Sequence, residues 1–174
     1  MSFTVDEQAI INRVANSSLI TLNLEELYPG GALAEIDLKD LLFQELILRE
    51  KDLRDFIKTH NWQQYQNTHV AIFCSADAVI PTWAYMLIGI ALQPFAATLV
   101  FGNRSVLLSK IYQDALDKVN WEKFKDVKVV IKGCSDLHVP ESAYLTAAAR
   151  LRPLAASILY GEPCSTVPLY KKPK

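Results

Sequence analysis

From His69 onward the chain alternates between short aliphatic runs and longer stretches with helical spacing. HVAIFC (69–74), ATLVF (97–101) and VKVVIKG (127–133) read as strands, and residues 80–92, 104–119 and 140–160 as the helices that follow them. Continuous apolar strands are buried on both faces, and strands separated by helices call for right-handed crossovers onto a parallel sheet. The expected fold class is therefore α/β, a three-layer sandwich with a mainly parallel, Rossmann-like sheet. No G-x-G-x-x-G or P-loop phrase stands at a strand-to-helix turn, so no residue supports a nucleotide or dinucleotide site.

The preceding residues read as an N-terminal helical and strand extension. Thr4 and Glu7 make a capping box for a short helix to about Asn16, with Ile10, Ile11 and Val14 as its apolar face. In SLITLNLEEL, Ile20, Leu22 and Leu24 alternate with Thr21 and Asn23, as in an edge strand, before a Pro29-Gly30-Gly31 turn. Asp37 is placed to cap a long helix through Thr59, whose charged middle carries an i,i+4 pair of Glu50 with Arg54. A chain of 174 residues is expected to form a single domain over 1–174, with the 1–60 segment packed on a 69–160 core and 161–174 as a tail.

Ala78 to Phe101 is almost wholly apolar and long enough to cross a bilayer, but Pro81 and Pro94 divide it into a helix and a strand. A buried helix followed by a buried strand is the expected outcome, with no membrane span. Lys and Arg number 18 against 19 Asp and Glu, so the chain carries no electrostatic footprint for nucleic acid. Lys171, Lys172 and Lys174 read as a solvated end. Asp6 and Glu7 stand where a signal peptide would need an apolar run, and the expected location is the cytoplasm. An odd number of cysteines in a reducing compartment favours free or metal-bound thiols over a disulfide framework.

The three cysteines each open a similar phrase: CSADAVIPTWAY from Cys74, CSDLHVPESAY from Cys134 and CSTVPLY from Cys164. Cys74 and Cys134 fall at carboxyl ends of expected parallel strands, where open α/β sheets form ligand crevices. Each also precedes a helix N-terminus, whose dipole favours the thiolate that binds metals. Cys74, Cys134 and Cys164 are thus candidate ligands for a thiophilic metal, with Asp77, Asp136, Glu162 or His138 as a candidate fourth. Cys164 is the doubtful member. An unbroken helix over 140–160 would leave it about 30 Å from Cys134, unless Pro153 breaks the helix or a partner subunit in a homodimer supplies it. The plainer alternative is that the phrase records two similar β-turn-α units with small, buried cysteines and ordinary caps. No Ser-His-Asp order, H-E-x-x-H or C-x-x-C is present, so the residues point to no standard hydrolase, zincin or thioredoxin-like chemistry. Whether the chain is an enzyme stays open.

The phrases LKDLLFQELILREKDLRDFI (38–57), VAIFCSADAVIPTWAYML (70–87), VVIKGCS (129–135) and YGEPCSTVPLYKK (160–172) resemble a bacterial family, domain of unknown function 2480, found mainly in Bacteroidota. The resemblance spans nearly the whole chain. It implies a genomic association with the sulfur-mobilisation route of iron–sulfur cluster assembly, and hence iron–sulfur assembly proteins as partners. Three cysteines with an open fourth position match a [4Fe–4S] cluster that presents one iron to a partner. Three functions follow as expectations. The first is an accessory protein that binds an iron–sulfur cluster or zinc through its cysteines. The second is a metal-free persulfide carrier or redox sensor. The third is a non-catalytic α/β binding or scaffolding module, with Trp83, Tyr85, Tyr144 and Tyr160 in its core or on a partner surface.

Overall fold

The computed structural model describes residues 19–133, 138–162 and 165–173. The expected helix ending near Asn16 lies outside them. Strand β1 (Leu19–Asn23) leads through a 3-10 turn and the positive-φ pair Gly30 and Gly31 into β2 (Leu33–Asp37). The long helix expected over 37–59 is not continuous. Asp37 ends β2 and caps only a 3-10 turn, Leu38–Leu41, and a small antiparallel hairpin of β3 (Leu42–Phe43) and β4 (Ile47–Leu48) follows. Gln44 and Glu45 sit at φ 51° and 61°, which no helix accommodates. Helix α1 begins at Glu50 and runs to Thr59. Its Arg54 Nε donates to Glu50 at 2.8 Å, as the i,i+4 spacing leads one to expect.

The alternating elements follow in the expected order: β5 (His69–Phe73), α2 (Thr82–Leu92), β6 (Thr98–Phe101), α3 (Arg104–Asp117), β7 (Lys128–Lys132) and α4 (Glu141–Leu151). The apolar 78–101 stretch resolves into α2 and β6. No helix among the described residues is long and apolar enough to cross a membrane. Helix α4 stops at Leu151 instead of reaching residue 160, because Pro153 has no N–H for the ladder and its ring conflicts with the carbonyl four residues back. The chain turns there and returns as β8 (Ser157–Glu162), and the presumed tail forms β9 (Ser165–Lys171) antiparallel to it.

The fold is a mixed, partly parallel α/β arrangement with four α-helices among the described residues. The strands divide between two main sheets instead of forming one, in orders β1-β7-β8-β9 and β2-β5-β6. These sheets are copies of one design. In the first, β2 pairs β5 with Leu33 opposite His69, and β5 pairs β6 with His69 opposite Thr98. In the second, β1 pairs β7 with Leu19 opposite Lys128, and β7 pairs β8 with Lys128 opposite Ser157. A sequence duplication underlies the match: Asn61-Trp62 recurs as Asn120-Trp121, Pro81 as Pro140, Tyr85 as Tyr144 and Pro94 as Pro153, at a constant offset. The two strands nearest the N-terminus are therefore not an extension packed on a core. Each supplies the edge strand of one copy, beginning with ITLNLEEL in one case and AEIDLKDL in the other.

Each copy has its own apolar centre. Ile36, Val70, Ile72, Ala84, Ile88 and Leu92 form the first, and Leu22, Val129, Ile131, Ala143, Ala147 and Leu151 occupy equivalent places in the second. Alternation in β5 sends Val70 and Ile72 toward α1 and α2, and the fully buried Ala71 toward Leu107 and Ile111 of α3. Helix α3 also joins the copies. Ser142 Oγ of α4 meets Ser109 Oγ at 3.0 Å, and Arg150 of α4 donates to the Leu116 carbonyl at 2.9 Å.

Candidate functional site

Those two contacts pair the early part of α3 with the start of α4 and the end of α3 with the end of α4, so the helices run side by side in one direction. Helix α3 starts at the carboxyl edge of one sheet and α4 at that of the other, so both edges face the same end of the molecule.

At the first edge β5 hands the chain to Cys74 and Ser75. The Asp37 carboxylate at the end of β2 ties this turn down. It accepts from the Ser75 N–H at 2.9 Å and the Ser75 hydroxyl at 2.6 Å, besides the Lys39 N–H at 3.0 Å. Partial burial works to raise the Asp37 pKa, but the Ser75 hydroxyl, the two N–H donors and the Lys39 ammonium together hold it below the ordinary carboxylate value. Cys74 is half-buried and its thiol lies 3.7 Å from the Ala76 carbonyl. Tyr85, on the first turn of α2, packs edge-on against Phe101 with ring centroids 4.9 Å apart. Burial raises its pKa, with Cys74 and Asp37 adding to the effect, so the phenol stays protonated beside the thiol. Asp77 is exposed.

At the second edge Asn23 takes the place of Asp37, accepting from the Glu25 N–H at 3.3 Å and donating to Glu26 at 2.9 Å. Tyr144, the counterpart of Tyr85, donates to the Gly133 carbonyl and packs edge-on against Tyr160 at 5.8 Å. Cys134, Asp136 and Cys164 lie outside the described residues, but their chain neighbours are placed. Gly133 follows β7, and Glu162 ends the adjacent parallel strand β8, opposite Ser165 of β9. Lys132 Nζ approaches Glu162 at 3.5 Å. The separation of about 30 Å that an unbroken helix would impose therefore does not apply to the neighbours of Cys134 and Cys164, because the chain has turned back at Pro153. Of the other candidate ligands, Glu162 is exposed and paired with Lys132, and His138 is exposed on the approach to α4. Among the described residues no three His, Cys, Asp or Glu side chains converge as a metal site does.

The duplication also bears on the repeated phrase. At the constant offset that relates the other landmarks, Cys74 aligns with Gly133 and Ser75 with Cys134, so the two Cys-Ser pairs are displaced by one position. Strand β9, which begins at Ser165, has no counterpart among the described residues of the first copy, and the duplication leaves the likeness of Cys164-Ser165 unexplained.

Two further features were not visible in the sequence. A pocket of about 200 Å³ next to Asp37 is lined by Glu35, Asp40, His60 and Tyr65, among others. There His60 meets Tyr65 Oη and Gln64 Nε2, each at 3.0 Å, and burial lowers its pKa. A larger cavity of about 690 Å³ lies along α3 between the copies. The repeat itself was legible, since Asn-Trp, the Cys-Ser turn and the Leu-x-Pro helix ends recur in the same order.

The fold and its edges define a class: a mixed α/β protein made of two copies of one unit, the first with Cys74 and Ser75 at the carboxyl edge of its sheet. Residues 8–172 match the family model described as "Protein of unknown function (DUF2480)", and the chain belongs to that family. No curated protein and no solved structure matches it.

Proposed function

We propose that this chain is an accessory protein of iron–sulfur cluster assembly or maintenance, which binds a cluster or a zinc ion through Cys74, Cys134 and Cys164. The observation that carries the reading is the adjacency of β7 and β8, whose carboxyl ends flank Cys134 and Cys164 on neighbouring strands. The shared direction of the two sheets adds Cys74 to the same end of the molecule. The half-buried Cys74 thiol at such a rim suits a soft metal, because thiolates favour zinc, Cu(I) and iron–sulfur clusters over magnesium or calcium. When bound, a three-thiolate group leaves one position for a partner, for substrate or for a fourth ligand drawn from Asp77, Asp136, Glu162 and His138. The protein's part is to hold the turns: Asp37 fixes Ser75 beside Cys74, and Tyr144 fixes Gly133 before Cys134. The same proposal takes the protein as cytoplasmic, with assembly proteins as partners. It also takes each copy as a reduced Rossmann-like unit within a three-layer arrangement, supported by helices against both faces of β5.

Anaerobic purification followed by metal and sulfide analysis tests this. The expected result is a stoichiometric metal content that falls on Cys→Ser change at any of the three positions. A folded, metal-free protein that gains no metal on reconstitution, with or without those changes, would overturn it in favour of metal-free thiol chemistry or a scaffolding role.

A further inference from the structure

The cavity of about 690 Å³ is lined by Tyr28, Gly31, Leu33, Arg104, Ser105, Leu108, Tyr112 and His138. Arg104, Leu108 and Tyr112 recur at every fourth residue, so one face of α3 forms its floor over about 12 Å, at 1.5 Å per residue. The two ends differ. Arg104, Ser105 and His138 are exposed, and none of the ion pairs among the described residues uses the Arg104 guanidinium. Its backbone N–H is already taken by Glu35 at 2.9 Å, and Asn103 caps the next two, so the side chains and not the helix end characterise this mouth. Tyr112, by contrast, is 1 % exposed, and its hydroxyl is the one buried side-chain polar atom among the described residues without a hydrogen-bond partner. Burial raises the Tyr112 pKa, with Glu25 and Tyr28 adding to the effect, so the group is a protonated donor. Between the two ends lie Leu33, Leu108 and the Tyr28 ring, tilted against Tyr112 at 6.3 Å. The Tyr112 hydroxyl is closed off from the cavity, so this residue belongs to the apolar floor.

We infer that this cavity binds an elongated organic anion, its charged head at Arg104 and its apolar body over Leu33, Leu108 and the Tyr28 ring. The proposed site draws on Arg104 and the apolar face of α3, none of them a candidate metal ligand, and shares only His138 with the second cysteine edge. The test uses the full chain and 8-anilinonaphthalene-1-sulfonate, a fluorescent aromatic anion. One equivalent should bind saturably, and Arg104→Glu should weaken it about tenfold, the loss of one charge-assisted contact. Met86→Ser, on the exposed apolar face of α2, should leave the titration unchanged. Absence of saturable binding, equal affinity in Arg104→Glu, or loss on Met86→Ser instead would overturn the inference.

Discussion

Replacing Asp37 with Ala separates the fold's local logic from its long-range logic, because this one carboxylate ends β2, caps the turn after it and grips the turn that carries Cys74. Three accepted bonds are lost: from the Lys39 N–H, the Ser75 N–H and the Ser75 hydroxyl at 3.0, 2.9 and 2.6 Å. Buried bonds to a charged acceptor contribute about 1.5–3 kcal/mol each. The Asp37 side chain is 17 % exposed, and the donors of exposed Ser75 regain water, so the sum is much reduced. The expected cost is about 2 kcal/mol, or about 4–8 °C in melting temperature for a chain of this size. Asp37→Asn keeps one acceptor, as Asn23 does in the second copy, and should cost about half as much. Because the folded pKa of Asp37 is depressed, its contribution is complete above the unfolded value of about 3.9 and is lost as pH falls through the lower folded value. The stability gap between the wild type and Asp37→Asn should therefore narrow between about pH 5 and pH 3. Freed from its tether, the turn should also expose Cys74 to faster alkylation. Urea unfolding across that pH range, with timed labelling, measures both effects. A cost below about 0.5 kcal/mol, a gap constant with pH and unchanged labelling would refute the assignment of Asp37 as the anchor of this turn.

Three further substitutions test the backbone and the core. A Cβ at Gly161 would lie 2.7 Å from the Ser165 carbonyl at φ +115°, so Gly161→Ala should cost about 2–3 kcal/mol and loosen β8 from β9. At Gly30, whose Cβ would meet nothing within 4 Å, only the positive φ of +80° opposes Ala, and the cost should be about 1–2 kcal/mol. Equal costs in denaturant unfolding would show that the β8–β9 turn is not packed as described. Phe124 is fully buried in the second copy, and Phe124→Ala should cost about 3–5 kcal/mol, with Trp121 fluorescence reporting the transition. A cost under about 1 kcal/mol would contradict the placement of that core.

The parts of the fold that the sequence displays are those fixed by local pattern. Continuous apolar strands such as HVAIF and KVVIK, and helices bounded by Pro81, Pro94 and Pro140, stand where spacing puts them. The misread parts are those where tertiary pairing overrides local preference. Residues 38–49 carry helix-compatible spacing, yet only a 3-10 turn forms at Leu38–Leu41, because Leu42–Phe43 and Ile47–Leu48 pair as a hairpin. Ser157 to Glu162 reads as the end of a helix unless Pro153 is given its full weight, and Pro168 hides β9, although an edge strand tolerates proline. The candidate site divides in the same way. The Cys74-Ser75 turn is legible as a strand end, whereas the grip of Asp37 on Ser75 spans 38 residues and the cavity along α3 gathers residues from Tyr28 to His138, neither of which any spacing encodes. The duplication was written in the sequence, and only its Cys-Ser fragment stands out without a comparison of the two halves.

The central claim is that three thiols act together at one end of the molecule, and their reactivity in the anaerobically purified protein tests it most directly. Timed alkylation read by mass spectrometry, before and after a chelator, should find Cys74, Cys134 and Cys164 protected together and released together as metal leaves. Three independent labelling rates that a chelator does not change would contradict the account.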